Sequence, residues 1–507
     1  MTDAPRRRLN RRALTGFGWA YGSFTTGRAI NFLATLVLAR LLLPEQFGLV
    51  VFALALLAYM ENLTDLGVGA ALVYRSDAHD PRIASTAFWI GIVGALVLVA
   101  ISWVAAGYLP RLGAGPEVTP IFRALSLQIL LTALGSVHEY LLRHSLGFKR
   151  LLIPELGSGL VKGVVSVGLA LSGAGVWSLV IGQLAGSLTR TVSLWSVIRW
   201  RPQLTFAGEH FGSMLKYGLG ITAVAILGEA GRNVDYLIVG AQLGSTALGF
   251  YFLAFRVPEL VVMPAFRVGG RVLFSFYSRL GDLRAGQGEG LQKGELAEGY
   301  LQTVRLGALL AFPAGFGIAA LASPIVLTLF GARWEPSIAP LALIGVWAAV
   351  SAVATMPGSV FKAIGRSDLL TATSMAGLLL LLPALWFSAP YGIAAVAGAH
   401  VISKSVHFVL LAIVTGRMLE TAWLPAVLAV VPALAMSLIM AAAVYGVALA
   451  LPPLAALLVG TATGALVYLG LMRILLPREF RMLVAKVAAV RARRGAASPL
   501  EADVGGP

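Results

Sequence analysis

The chain contains no cysteine, few acids and little charge of either sign. Without cysteine it forms no disulfide, offers no thiolate metal ligand and has no thiol nucleophile. Only 12% of the 507 residues are charged and 58% are hydrophobic, against about 25% and roughly 45–50% in soluble domains. A water-soluble globule is not expected. Acids are the scarcer sign, 23 Asp and Glu against 39 Lys and Arg, for a formal net charge of +16. In a soluble protein that excess would suggest nucleic acid. In so apolar a chain it asks which side of a membrane the charges occupy, and no nucleic-acid partner is expected. Catalytic signatures are missing too: no GxxxxGK[ST] phosphate loop, no HExxH and no nucleophile elbow. The sequence therefore gives no reason to expect an enzyme, an ATPase domain, a metal or another cofactor.

What is present is a succession of apolar runs at about 14–39, 47–73, 84–108, 119–142, 151–171, 175–198, 213–240, 247–266, 301–322, 338–361, 369–388, 392–414, 423–447 and 453–474. Each matches the roughly 20 residues of a spanning helix, whereas barrel strands would alternate over about ten. The expected fold is an all-α polytopic membrane protein of about 14 transmembrane helices. If the N-terminus is cytoplasmic, the inner segments hold 28 basic residues and the outer ones only Arg40, Arg111 and Arg333. That asymmetry places both termini inside. The opening run carries Thr25, Thr26 and Arg28 and no small-x-small cleavage site, so it reads as a retained first helix. The longest connection, 267–300, is inner and Gly-rich from Gly281 to Gly299, which suggests a flexible segment.

A short repeat divides the chain. Leu42–Gly48 (LLPEQFG) aligns with Leu243–Gly249 (LGSTALG) 201 residues later; with a gap, Gly27-Arg28 falls on Gly231-Arg232 and Asn31 on Asp235. Six spans separate the copies, and an even number preserves orientation, so the halves should be related by a pseudo-two-fold axis along the membrane normal. The expected organisation is a basic N-terminus (1–12), an N-lobe of helices one to six (13–200), a C-lobe of helices seven to twelve (201–420), a final helix pair (421–476) and a basic tail (477–507).

Several motifs in order, LARLLLPEQFG at 38–48, LGFKR at 146–150, GAGVWSLV at 173–180, GARW at 331–334 and KAIGRSD at 362–368, resemble the Wzx-type lipid-linked oligosaccharide flippases. These form the polysaccharide transporter branch of the multidrug/oligosaccharidyl-lipid/polysaccharide exporter superfamily. The resemblance implies a V-shaped two-lobe transporter in the bacterial inner membrane, moving an undecaprenyl-diphosphate-linked oligosaccharide to the outer leaflet. It implies membrane lipid as surroundings, and a polysaccharide polymerase and chain-length regulator as candidate partners.

A cation at mid-bilayer costs at least about 2.5–3.5 kcal/mol, so it faces a cavity or a counter-ion. Arg28, Lys162, Arg190, Arg232, Arg256 and Lys404 fall near mid-span. Guanidinium and ammonium groups suit a diphosphate, and structural pairing is the competing reading for each. Glu229 and Asp235 flank Arg232, and Glu259 follows Arg256 at i+3. Glu61, Asp65 and Asp235 are candidates for ion coupling. His400, Lys404 and His407 form one polar helical face, a cavity wall more readily than a metal site. Trp89, Trp103, Trp195, Trp200 and Trp334 read as interfacial anchors. Two rival functions remain: a cation-coupled drug antiporter of the same superfamily, which would want carboxylates in its cavity, and a membrane glycan polymerase, which would want paired acids.

Overall fold

The computed structural model describes residues 27, 29–64, 81–112, 115–144, 148–205, 208–262, 277, 289–482 and 485; Arg28 and Asp65 lie outside them. Among the described residues the chain is helical throughout, with eleven helices long and apolar enough to cross a membrane and a shorter apolar one at Ala29–Leu41. We number Ala29–Leu41 as α1, followed by α2 (Pro44–Leu63), α3 (Pro81–Ala105), α4 (Val118–His144), α5 (Phe148–Leu171) and α6 (Val176–Val197). The stretch Gly208–Val261 breaks at Gly244, where φ is 82°, into α7 and α8. Then come α9 (Glu289–Ala320), α10 (Ile338–Ala354), α11 (Ser367–Ser388), α12 (Ile393–Met418), α13 (Val431–Ala450) and α14 (Pro453–Leu475).

Local chemistry sets many of the boundaries. Pro44 and Pro453 occupy first turns, where the missing N–H is an orphan in any case. Gly331 and Gly392 take positive φ where one helical segment ends and the next begins. The third span of the second half starts earlier than its hydropathy suggests. Instead of remaining loop to residue 300, α9 is helical from Glu289, because Leu296, Ala297 and Tyr300 bury one face of its first turns in the core. Val176–Val197, by contrast, is of spanning length but not among the eleven apolar helices. Its polar residues turn out to belong to a cavity.

Helices α2, α3, α4, α5 and α6 pack together, as do α8, α9, α10, α11 and α12, while α13 and α14 pair on the outside of α9. The lobes meet chiefly where α2 crosses the stretch α7–α8. The crossing needs glycine. A Cβ on Gly48 would lie 1.8 Å from the Ser245 carbonyl oxygen, and one on Gly249 would lie 1.9 Å from that of Pro44. Gly48 and Gly249 are 201 positions apart, and so are Pro44 and Ser245. The contact is thus self-complementary, residue i on j and the equivalent of j on the equivalent of i, as a two-fold axis requires. The repeat read from the sequence closes on itself in space.

A second tie fixes the α1–α2 hairpin to the C-lobe. The turn Val326–Phe330 after α9 ends at Gly331, leaving terminal carbonyls without helical donors. Arg40 donates to two of them, through Nη2 to Thr328 O at 2.6 Å and Nε to Leu329 O at 3.2 Å. The end of α1 is served in return: Trp334 Nε1 donates to Ala39 O at 2.8 Å and Arg333 Nη1 to Leu42 O at 3.3 Å. Each helix end is capped by a side chain from the other, with cations at the negative pole of the helix dipole. Trp334 is therefore not an interfacial anchor. It is 0% exposed, edge-on to Phe47 at 5.4 Å and to Phe250 at 6.0 Å, because burying its ring lets the indole N–H satisfy an otherwise orphaned carbonyl.

Candidate substrate cavity

Within the N-lobe, α5 and α6 approach closely because Gly182 and Gly186 sit four apart on α6. A Cβ at Gly182 would lie 1.9 Å from Ser166 Oγ, and one at Gly186 2.9 Å from Lys162 Cβ. This small-xxx-small face holds Lys162 against the rim of a cavity of about 330 Å³. Glu61 of α2, Gln128 of α4, Lys162 of α5, Gln183 and Arg190 of α6, and Asn31 of α1 all line it. Polar residues fall on a helical stripe in two of these elements: Gln128, Thr132, Gly135 and Glu139 in α4, and Gln183, Ser187 and Arg190 in α6. Glu61 lies 17 residues from Pro44, about 25 Å along α2 at 1.5 Å per residue, so the cavity and the lobe crossing occupy opposite ends of the helix.

Hydrogen bonds orient the wall. Gln128 Nε2 donates to Glu61 Oε1 at 2.8 Å, and Gln183 Nε2 donates to Gln128 Oε1 at 2.8 Å. Arg190 Nη2 is paired with Glu139 Oε2 at 2.8 Å. Lys162 makes no ion pair or hydrogen bond among the described residues, although it lies within electrostatic reach of Arg256. Arg256 belongs to an adjoining pocket of about 310 Å³ with Asn31, Phe32, Thr35 and Glu259. There its Nη1 meets Glu259 Oε2 at 3.0 Å and its guanidinium carbon lies 3.8 Å from the Phe252 ring centre. Asn31 lines both pockets, so Lys162 and Arg256 flank a shared boundary.

The other sequence candidates are placed elsewhere. Arg232 pairs with Glu229 one turn away, and Asn233 donates to the same carboxylate; the Arg232 side chain is still 62% exposed, so the pair is not sealed. Asp235 is buried in the C-lobe, accepting from Tyr251 Oη at 3.0 Å, with His400 Nε2 3.3 Å away. Thus the polar face of α12 turns toward α7 at His400 and toward α11 at His407, whose Nε2 lies 2.9 Å from Thr373 O. Lys404, between them, has no ion pair or hydrogen bond among the described residues and lines neither of the two polar pockets. The structure brings Glu61, Lys162 and Arg190 together with Arg256 beside them, and sets Asp235 and Arg232 apart. Charge counting passed over Asn31, Gln128, Thr132 and Gln183, which are neutral; their four- and seven-residue spacing within spans was the available signal.

A long apolar cavity, about 730 Å³, runs between α9 and the pair α13–α14, with Tyr468 and Met472 on one wall and Leu309 and Pro313 on the other. At one end Arg305 Nη2 meets Glu479 Oε1 at 2.6 Å.

Two helical lobes, a polar cavity within the first and an added helix pair define a polytopic α-helical membrane protein. The family model described as "Polysaccharide biosynthesis protein" matches residues 37–339, more than half of the chain, and the protein belongs to that family. Among curated relatives it is similar to the teichuronic acid biosynthesis protein TuaB of Bacillus subtilis, 24% identical over 74% of this chain and 71% of the relative. It is similar to the succinoglycan biosynthesis transport protein ExoT of Rhizobium meliloti, 28% identical over 64% of each. The lipopolysaccharide biosynthesis protein WzxC of Escherichia coli is 23% identical over 74% of this chain and 75% of its own length. In fold, the chain resembles the inward closed form of the lipid II flippase MurJ, with a TM-score of 0.74 at 16% identity over 91% of this chain and 98% of that one. An inward-facing multidrug transporter of the MATE family superposes with a TM-score of 0.62 at 15% identity, over 78% and 96%.

Proposed function

We propose that the protein is a flippase that carries a polyprenyl-diphosphate-linked oligosaccharide from the inner to the outer leaflet by alternating access. The observation that carries this reading is the Lys162–Arg256 boundary, where a lysine without a counter-ion among the described residues stands near an arginine at the meeting of two polar pockets. A diphosphate supplies the missing negative charge. Arg190, Arg28, Arg232 and Lys404 are further cations for its passage, and Glu61, Asp65 and Asp235 are the acids available for ion coupling. A drug antiporter taking organic cations fits less well, because the cavity's acids are engaged, Glu61 by Gln128 and Glu139 by Arg190, while a cation stands open.

Both termini lie in the cytoplasm on this reading, which puts the α1–α2 hairpin and the lobe crossing on the outer side. The polyprenyl chain stays in lipid while the head enters between the lobes, and a polymerase and chain-length regulator receive the product outside. Moving one charge across 100 mV is worth about 2.3 kcal/mol, so a cargo near −2 gains about 4.6 kcal/mol on leaving a negative interior. In vesicles, flipping of a diphosphate-linked sugar should respond to an imposed K⁺/valinomycin potential with no Na⁺ or proton gradient. Indifference to the potential, with a response to one of those gradients, rejects potential as the drive. No flipping under any gradient rejects the function.

A further inference from the structure

The N-lobe cavity is chemically two-sided. One side is Lys162, which wants an acceptor. The other is the chain of hydrogen bonds Glu61–Gln128–Gln183. Gln128 turns its amide nitrogen to Glu61 and its oxygen to Gln183, and Gln183 spends its nitrogen on that oxygen. What is left at the end of the chain is Gln183 Oε1, a buried acceptor with no partner among the described residues. A buried acceptor without a donor is costly, and phosphate cannot help, since its ionised oxygens are themselves acceptors. A hydroxyl can. The volume, about 330 Å³, lies at the small end of the roughly 300–1,000 Å³ usual for ligand pockets, enough for one sugar ring and not for a chain.

We propose that this pocket is a sugar subsite: Glu61, Gln128 and Gln183 take hydroxyls of the first pyranose after the diphosphate, while Lys162 and Arg256 hold phosphate at the Asn31 boundary. The inference rests on the flippase reading and adds to it a specificity determinant, because a site that hydrogen-bonds a hydroxyl discriminates strongly against a ligand lacking it. The remainder of the glycan extends out of the pocket and is not read there.

The test uses the full chain in lipid nanodiscs and four probes: farnesyl diphosphate, and farnesyl diphosphate carrying glucose, galactose or N-acetylglucosamine. At least one sugar-bearing probe should bind about tenfold more tightly than farnesyl diphosphate, the scale of a hydrogen bond to a charged or strongly polarised group. Gln183→Met should erase that increment and leave farnesyl diphosphate binding unchanged, whereas Lys162→Ala should weaken all four probes. Thr132→Val, which removes a hydroxyl from the cavity wall beside Gln128 and Glu61 while keeping the side chain's shape, gives a second reading should Gln183→Met not fold. The increment should shrink and the baseline stay. Equal affinity of wild type for all four probes, or a Gln183→Met loss shared equally by all, overturns the subsite while the flippase reading stands. Failure of farnesyl diphosphate to bind at all overturns the flippase reading, and the subsite with it.

Discussion

The lobe crossing and the N-lobe cavity lie at opposite ends of α2 and obey opposite rules. At the crossing, backbone meets backbone through Gly48 and Gly249, and its polar side chains are committed: Arg40, Arg333 and Trp334 all donate to carbonyls. In the cavity, Lys162 and Gln183 Oε1 have no partner among the described residues. Three of the five motifs that carry the family resemblance gather at the first. Arg40 and Pro44 come from 38–48 and Trp334 from 331–334, while Gly175, from 173–180, sits so close to Gln46 that a Cβ there would be 3.0 Å from its Nε2. The lesson is that these three motifs serve the way the lobes close in this chain. The residues of the polar cavity lie one helix-length away and outside the motifs, so family membership is easily read and the cavity lining is not.

The sharpest way to break this contrast is to overpack the crossing. Gly48→Leu must displace the Ser245 backbone, and a buried clash with main chain exceeds the roughly 1–3 kcal/mol of ordinary overpacking. We expect no monodisperse protein from Gly48→Leu or from its symmetry mate Gly249→Leu. Size-exclusion profiles matching wild type would show that the lobes do not need this contact.

Lys162→Ala should do the reverse, leaving the fold intact and impairing transport. Loss of a charge-assisted contact worth about 1.5–3 kcal/mol corresponds to about 10–150-fold in flipping rate. Lys162→Arg should recover part of it, since charge survives in a bulkier group. Wild-type flipping by the alanine variant would remove Lys162 from the mechanism.

How much of this was readable beforehand follows the same division. The helices and the 201-residue register were legible, because hydropathy over 20 residues and the packing of a hairpin are local. The start of α9 was not, since Glu289 to Tyr300 is polar on average and only burial of Leu296, Ala297 and Tyr300 holds it helical. In the cavity, Lys162 and Glu61 stood out as charges in apolar runs. Gln128 and Gln183 did not, as neutral amides leave a charge count untouched and their pairing joins α4 to α6. The partners of Asp235, Tyr251 sixteen residues on and His400 across the lobe, depend on tertiary packing that no spacing announces.

Asp235 separates a structural acid from a coupling one. Asp235→Asn keeps the shape and an acceptor for Tyr251, so the protein should fold. Removing the charge opposite His400 should lower flipping several-fold if this pair gates the C-lobe, and the loss should be larger under a proton gradient than under potential alone. Equal activity under both drives would leave Asp235 a structural residue.

The smallest expected effect probes whether the crossing opens at all. Trp334→Phe keeps an aromatic between Phe47 and Phe250, trims the buried ring and deletes the bond to Ala39 O, the bond being worth about 1 kcal/mol. Because that bond ties the lobes in the closed arrangement, its loss should shift the closed–open balance about fivefold toward the open state. The natural absence of cysteine makes this measurable with a single reporter. Thr35→Cys lines the pocket shared by Asn31 and Arg256, and a membrane-impermeant thiol reagent added from the side of the α1–α2 hairpin should reach it only when the crossing parts. Labelling should be about fivefold faster with Trp334→Phe present, and faster still when Arg40→Ala removes two more bonds. An unchanged rate in both backgrounds would mean that the lobes never part at this end, and that the cargo leaves by another route.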